Sequence, residues 1–189
     1  GRSGSGKSTV LRALEDNAYQ CIDNLPVTLL HSLVEENLNR AGAAPTQLAV
    51  CIDARSQALQ TFPEILQSLP LAKKDRRVVY LDAKSPTLVK RFSETRRRHP
   101  LTSNKIDLRQ AIDMEAQVLA TIADLADLTL DTTQLTTQQL AAHFVDRVLD
   151  HGSHNINLLF RSFGFKYGVP VDADFVFDLR CLPNPHWDQ

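Results

Sequence analysis

The sequence predicts an α/β fold, a parallel sheet with helices on both faces, and two observations carry that prediction. Short apolar runs alternate with longer amphipathic ones through residues 1–152, the pattern left by parallel strands joined through crossover helices. The chain also opens on GRSGSGKST, in which Gly1, Gly6, Lys7 and Ser8 meet the spacing G-x-x-x-x-G-K-[ST] immediately before a helical pattern. Together these place the fold in the P-loop NTPase class.

The chemistry of the loop explains its residue types. Glycines at positions 1, 4 and 6 allow backbone conformations closed to other residues, so that successive N–H groups converge on phosphate oxygens. Lys7 supplies a point charge for the β- and γ-phosphates. The Ser8 hydroxyl suits a Mg²⁺ shell that keeps several waters, and the helix beginning in KSTVLRALED adds its positive end. Val10, Leu11 and Leu14 form the apolar face of that helix. The motif normally follows a strand, so a strand is expected before Gly1.

The remaining elements follow in order. YQCID (19–23) reads as a strand ending at Asp23, and the helical spacing of Leu29, Leu30, Leu33, Val34 and Leu38 follows it, with Gly42 as the stop. LAVCID (48–53) and VVYLDA (78–83) read as two buried strands. Ser85 and Pro86 suit the cap and first position of a helix running into KRFSETRRRHP. NKID (104–107) matches a guanine-recognition string, but it follows polar, proline-broken residues rather than a buried strand. It is therefore read as a helix start, with no role in recognising guanine. DLTLDT (127–132) is a fourth strand, and Thr136 with Gln139 predicts a capping box at the last amphipathic helix.

From Ser153 the texture changes to an aromatic, glycine- and proline-rich stretch with two β-like runs. This is expected to be the start of a second α/β domain, residues 153–189, too short to bury a core of its own. Composition narrows the function classes. A net charge of −1 gives no global attraction for nucleic acid, so any RNA contact must come from a local patch. No run of eighteen apolar residues predicts a membrane span, and no signal peptide is visible. Cys21, Cys51 and Cys181 lie far apart without metal or redox spacing, which predicts reduced thiols and a cytoplasmic compartment.

Three aspartates at strand ends compete for the metal or acceptor side of the site. Asp53 is favoured for a water-mediated Mg²⁺ contact or for touching the nucleotide, Asp23 suits a carboxylate facing an acceptor, and Asp82 is the alternative metal residue; each could also merely cap the next helix. The cluster Lys90, Arg91, Arg96, Arg97, Arg98 and His99 admits three readings. It could complement a helix dipole, form a lid whose arginines offset charge on transferring phosphate, or touch RNA phosphates.

The strings GRSGSGKST, ALED, CIDNLP, IDAR, LDA, TRRRHPL, LDTT and, above all, SFGFKYGVPVDADFVFDLRCLPNPHWD resemble the RapZ/YvcJ family of bacterial RNase adapter and nucleotide-binding proteins. The resemblance covers essentially the whole chain. It implies a kinase-like P-loop domain that binds and slowly hydrolyses ATP and GTP with Mg²⁺. Nucleotide contacts would come from Gly1, Arg2, Ser3, Gly4, Ser5, Gly6, Lys7 and Ser8, and from Asp53, Ala54, Arg55 and Ser56. The reading of the residues themselves makes Lys7, Asp53, Arg96 and Arg97 the catalytic set, with Ser8 and Asp53 holding the metal. A C-terminal domain would bind an amino-sugar phosphate and small regulatory RNA and present RNA to an endoribonuclease. Asp178 and His186 fall where the sugar-phosphate pocket would begin. Self-association into a homo-oligomer is also implied. Asn17 and Ala18 stand where a Met-Gly pair is usual in the family. A small-molecule kinase with Asp23 as base, and a non-hydrolysing adapter that responds to nucleotide, are the competing readings.

Overall fold

A computed structural model of the chain describes residues 1–39, 46–52, 54, 58–149, 160–171 and 173–182. Within them, β1 (Gln20–Ile22) lies parallel to β2 (Leu48–Val50), and β3 (Val79–Asp82) lies parallel to β4 (Leu128–Asp131). The register pairs Cys21 with Ala49 in the first pair and Leu81 with Leu130 in the second. The four strands predicted within residues 19–132 therefore form, shortened by a residue or more, whereas the β-like runs expected after Ser153 give no strand among the described residues 160–182.

Helices cover both faces, as the alternation predicts. On one side α1 (Lys7–Glu15) and α6 (Thr137–Val148) bury Val10, Leu11, Leu14, Leu140 and Phe144 against Ala49, Leu81 and Leu130. On the other, α2 (Leu30–Leu38), α3 (Phe62–Ser68) and α5 (Leu108–Ala123) bury Leu30, Val34, Phe62, Leu119 and Ile122 with Tyr80. The neighbours Tyr80 and Leu81 thus serve opposite faces, the period of two that a strand imposes. A third cluster, Leu88 and Phe92 of α4 (Ser85–Thr95) with Ile112 of α5 and Ala83, packs next to the carboxyl end of β3.

The single continuous sheet expected from the sequence is instead two separate two-stranded sheets. A cavity of about 990 Å³ is lined by both, among others by Val50 and Cys51 from the first and Val79 and Leu81 from the second. Gly1 also lines it. The Arg2 amide donates to the Leu81 carbonyl at 3.1 Å, so the loop leaves the cavity already paired to the edge of β3. A Cβ on Gly1 would lie 2.4 Å from that carbonyl oxygen, which is why only glycine fits this approach.

Two helix starts are resolved in detail. Asp107 and Gln110 form a reciprocal capping box at α5, and Thr136 and Gln139 form the predicted one at α6. NKID accordingly ends at the cap of a helix. The cap of α4 is Lys84 rather than Ser85, because the Ser85 hydroxyl instead accepts from the Arg2 guanidinium at 3.1 Å. Gly42 lies outside the described residues. Among those described, no helix is long and apolar enough to cross a membrane.

Candidate functional site

The loop 1–8 is held by its neighbours on every side. Thr132 Oγ1 donates to the Ser5 carbonyl at 2.9 Å, and Arg91 Nη1 donates to the Gly4 carbonyl at 3.0 Å. Burial lowers the Arg91 pKa, opposed by the nearby Asp131 carboxylate. The Ser3 amide and hydroxyl both donate to the fully buried Glu115, at 2.9 and 2.6 Å. The Ser5 hydroxyl donates back to the Arg2 carbonyl at 2.7 Å. Arg2 turns inward, its guanidinium bonded to the Ala83 and Ile112 carbonyls and paired with Asp82 at 3.5 Å.

These contacts divide the loop into two kinds of group. The side chains of Arg2, Ser3 and Ser5 are buried and build the loop. The amides of Gly4, Gly6, Lys7 and Ser8 donate to no described residue, and the Ser8 hydroxyl is exposed at the first turn of α1. Positive φ angles of 81° at Gly4 and 102° at Gly6 shape the segment that carries these amides. The Lys7 ammonium donates to the Gly1 and Arg2 carbonyls, each at 3.0 Å, and so spans the mouth of its own loop. Four free donors at a helix amino end, flanked by an ammonium, fit an oligophosphate.

The strand ends supply a thiol and two carboxylates. Burial pushes the Cys51 thiol up to about 11, with Lys7 opposing the rise and Asp23 adding to it. Cys51, Lys7 and Asp23 are therefore electrostatic neighbours at the carboxyl ends of β1 and β2. Asp82 already accepts from the Ala83 amide at 2.8 Å as well as pairing with Arg2. Ala54 is buried, whereas Asp53, Arg55 and Ser56 lie outside the described residues. No group of three His, Cys, Asp or Glu side chains among the described residues could hold a metal. Mg²⁺ needs no such cage when phosphate oxygens and waters complete its shell, and exposed Ser8 fits that arrangement.

Of the basic cluster, only Arg91 reaches the loop. Arg96, Arg97 and Arg98 are exposed beyond the end of α4, with no hydrogen bond or ion pair to a described residue. His99 is buried with its side chain fully covered. Arg91, named in the basic cluster, bonds the loop itself, and Glu115 is the site residue that sequence reasoning missed. For Glu115 a signal existed, because it interrupts the buried stripe Ala111, Ile112, Leu119 and Ile122 of α5. Asp178 accepts from the Arg180 amide and guanidinium, which hold its carboxyl down to about 2 in a local turn; His186 lies outside the described residues.

Comparison with known proteins gives the family. The model of the RapZ-like N-terminal domain matches residues 1–152, and that of the RapZ C-terminal domain matches residues 156–189. The chain belongs to the RapZ-like family. A nucleotide-binding protein of Hahella chejuensis is 52% identical over 190 residues, covering 100% of this chain and 66% of its own length. Nucleotide-binding proteins of Pseudomonas aeruginosa and Nitrosococcus oceani are 54% and 50% identical, again over 66% of their lengths. This RapZ-like chain therefore spans just under two thirds of these relatives.

Proposed function

We propose that this chain binds ATP and GTP through loop 1–8, as a P-loop module of a regulatory protein. The observation that carries the reading is the set of unpaired amides of Gly4, Gly6, Lys7 and Ser8 at the amino end of α1, with the Lys7 ammonium beside them. Lys7 exchanges its two loop carbonyls for β- and γ-phosphate oxygens, and Ser8, with Asp53, holds Mg²⁺. The metal, when bound, neutralises phosphate charge and orients the terminal group. The Arg91 contact to the Gly4 carbonyl keeps the loop in shape, and Arg96 or Arg97 folds over the phosphates from the segment after α4. Slow hydrolysis follows from a site that positions phosphates. The names of the relatives support nucleotide as the ligand.

In the longer protein, the family resemblance supports a role in presenting small regulatory RNA to an endoribonuclease under control of an amino-sugar phosphate, in a cytoplasmic homo-oligomer. Asp178 and His186 would belong to the sugar-phosphate pocket. One observation favours a second reading, transfer of phosphate to a small molecule: Asp23 lies beside Cys51 and Lys7, where a carboxylate could accept a proton from an acceptor hydroxyl.

Calorimetric titration with Mg²⁺-ATP and Mg²⁺-GTP tests the reading. The chain is expected to bind at least one of them, and Lys7→Ala is expected to weaken that binding by tenfold or more. Equal affinity in the two proteins would remove loop 1–8 as the site. Turnover that rises only when one metabolite is added would favour the kinase reading.

A further inference from the structure

The most deeply buried acid among the described residues joins two segments that the chain holds far apart. Glu115 and His99 both have fully covered side chains, and Glu115 Oε2 lies 3.3 Å from His99 Nε2. The Leu101 amide donates to His99 Nδ1 at 3.2 Å, so the ring proton belongs on Nε2, where it donates to Glu115. The same carboxylate receives both donors of Ser3. A buried carboxylate is tolerated when its oxygens are hydrogen-bonded, and three donors reach the two oxygens here. One unbroken path thus runs from Ser3 through Glu115 and His99 to Leu101. The exposed residues Arg96, Arg97 and Arg98 immediately precede His99 in the chain. A parallel apolar path joins the same ends: the Phe92 and His99 rings lie 5.0 Å apart, and a Cβ on Gly4 would come within 3.2 Å of Phe92.

We propose that Glu115 is a positioning residue that couples loop 1–8 to the arginine-bearing segment 96–102, so that a phosphate ligand on the loop stiffens that segment. The proposal rests on the reading of loop 1–8 as a phosphate site. Mechanically, Ser3 cannot shift without moving the carboxylate, and the carboxylate cannot shift without releasing His99. A ligand that orders the loop therefore orders the anchor of the arginines, through contacts that none of the arginines makes itself.

Amide hydrogen exchange at Leu101 and Thr102 is the test, with Mg²⁺-ATP as the probe and Glu115→Gln and Ser3→Ala as the variants. In the unaltered chain the probe is expected to slow exchange at these residues at least fivefold. In Glu115→Gln their exchange without probe should be at least fivefold faster, and bound probe should no longer slow it. Ser3→Ala, which removes only the hydroxyl contact, should lower the melting temperature less than Glu115→Gln does and should reduce the response to the probe; it decides the matter if Glu115→Gln does not fold. Undiminished slowing by bound probe in both variants would overturn the coupling. Should the probe fail to bind the unaltered chain, the phosphate reading fails by itself. The comparison without probe then still decides the anchor, because unchanged Leu101 exchange in Glu115→Gln would overturn it.

Discussion

Ala18 shows how much a single residue can carry. It closes α1 with φ 64°, while its amide donates to Glu15 and the Tyr19 amide reaches back to Leu14, the two bonds of a Schellman ending. Glycine is the residue that geometry favours, since a Cβ in the left-handed region costs roughly 1–2 kcal/mol. Ala18→Gly is accordingly expected to stabilise the chain by about 1 kcal/mol, raising the melting temperature by about 3 °C in a calorimetric scan. The sequence revealed the substitution but not its conformation. The place of Lys7 and Ser8 at the start of α1 was legible because it follows from spacing alone. Glu115 showed only as an acid within the apolar stripe of α5, and its partners Ser3 and His99, 112 and 16 residues away, did not show, since only packing brings them together.

Among the elements, local signals carried furthest. The apolar runs ending in Asp became strands, and the Thr136 to Gln139 spacing became a capping box, because strand pairing and helix capping are decided within a few residues. At α4 the local rule lost by one residue: Ser85 favours a cap, but a long-range donor from Arg2 claimed its hydroxyl. Helix α5 tests the value of a cap directly. Asp107→Ala removes the acceptor of the Gln110 amide, at 2.9 Å, and should lower stability by about 1 kcal/mol. In urea unfolding this would appear as a lower midpoint at constant slope. The same helix carries Ile112, Glu115 and Leu119, so a larger loss would mean that its first turn fixes their depth in the core.

For the molecule as a whole, the cavity between the two sheets is the dominant feature. Its walls are strand edges and core side chains, and unpaired edges favour any extended segment that can supply matching donors and acceptors. A chain extended before Gly1 by five β-branched or leucine residues is expected to melt at a higher temperature and to bind Mg²⁺-ATP more tightly. Both effects follow from burying apolar side chains at about 25 cal/mol per Å² and from fixing the approach to Gly1. An unchanged melting temperature would show that the two sheets hold their separation unaided. The alternation of elements and the helices on both faces were legible in the sequence. The separation of the sheets was not, because a strand's neighbour is chosen by the assembled fold.

The three thiols also acquire distinct characters from their surroundings. Cys51 is buried and held up to about 11, Cys21 is half-buried with its thiol turned to the Leu11 carbonyl, and Cys181 is exposed beside the Asp178 turn. Alkylating reagents attack the thiolate, so at neutral pH the folded chain presents them with one open target. A dye placed there would report on residues 160–182 without altering the sequence of loop 1–8. The protein therefore brings its own spectroscopic handle, far in sequence from loop 1–8.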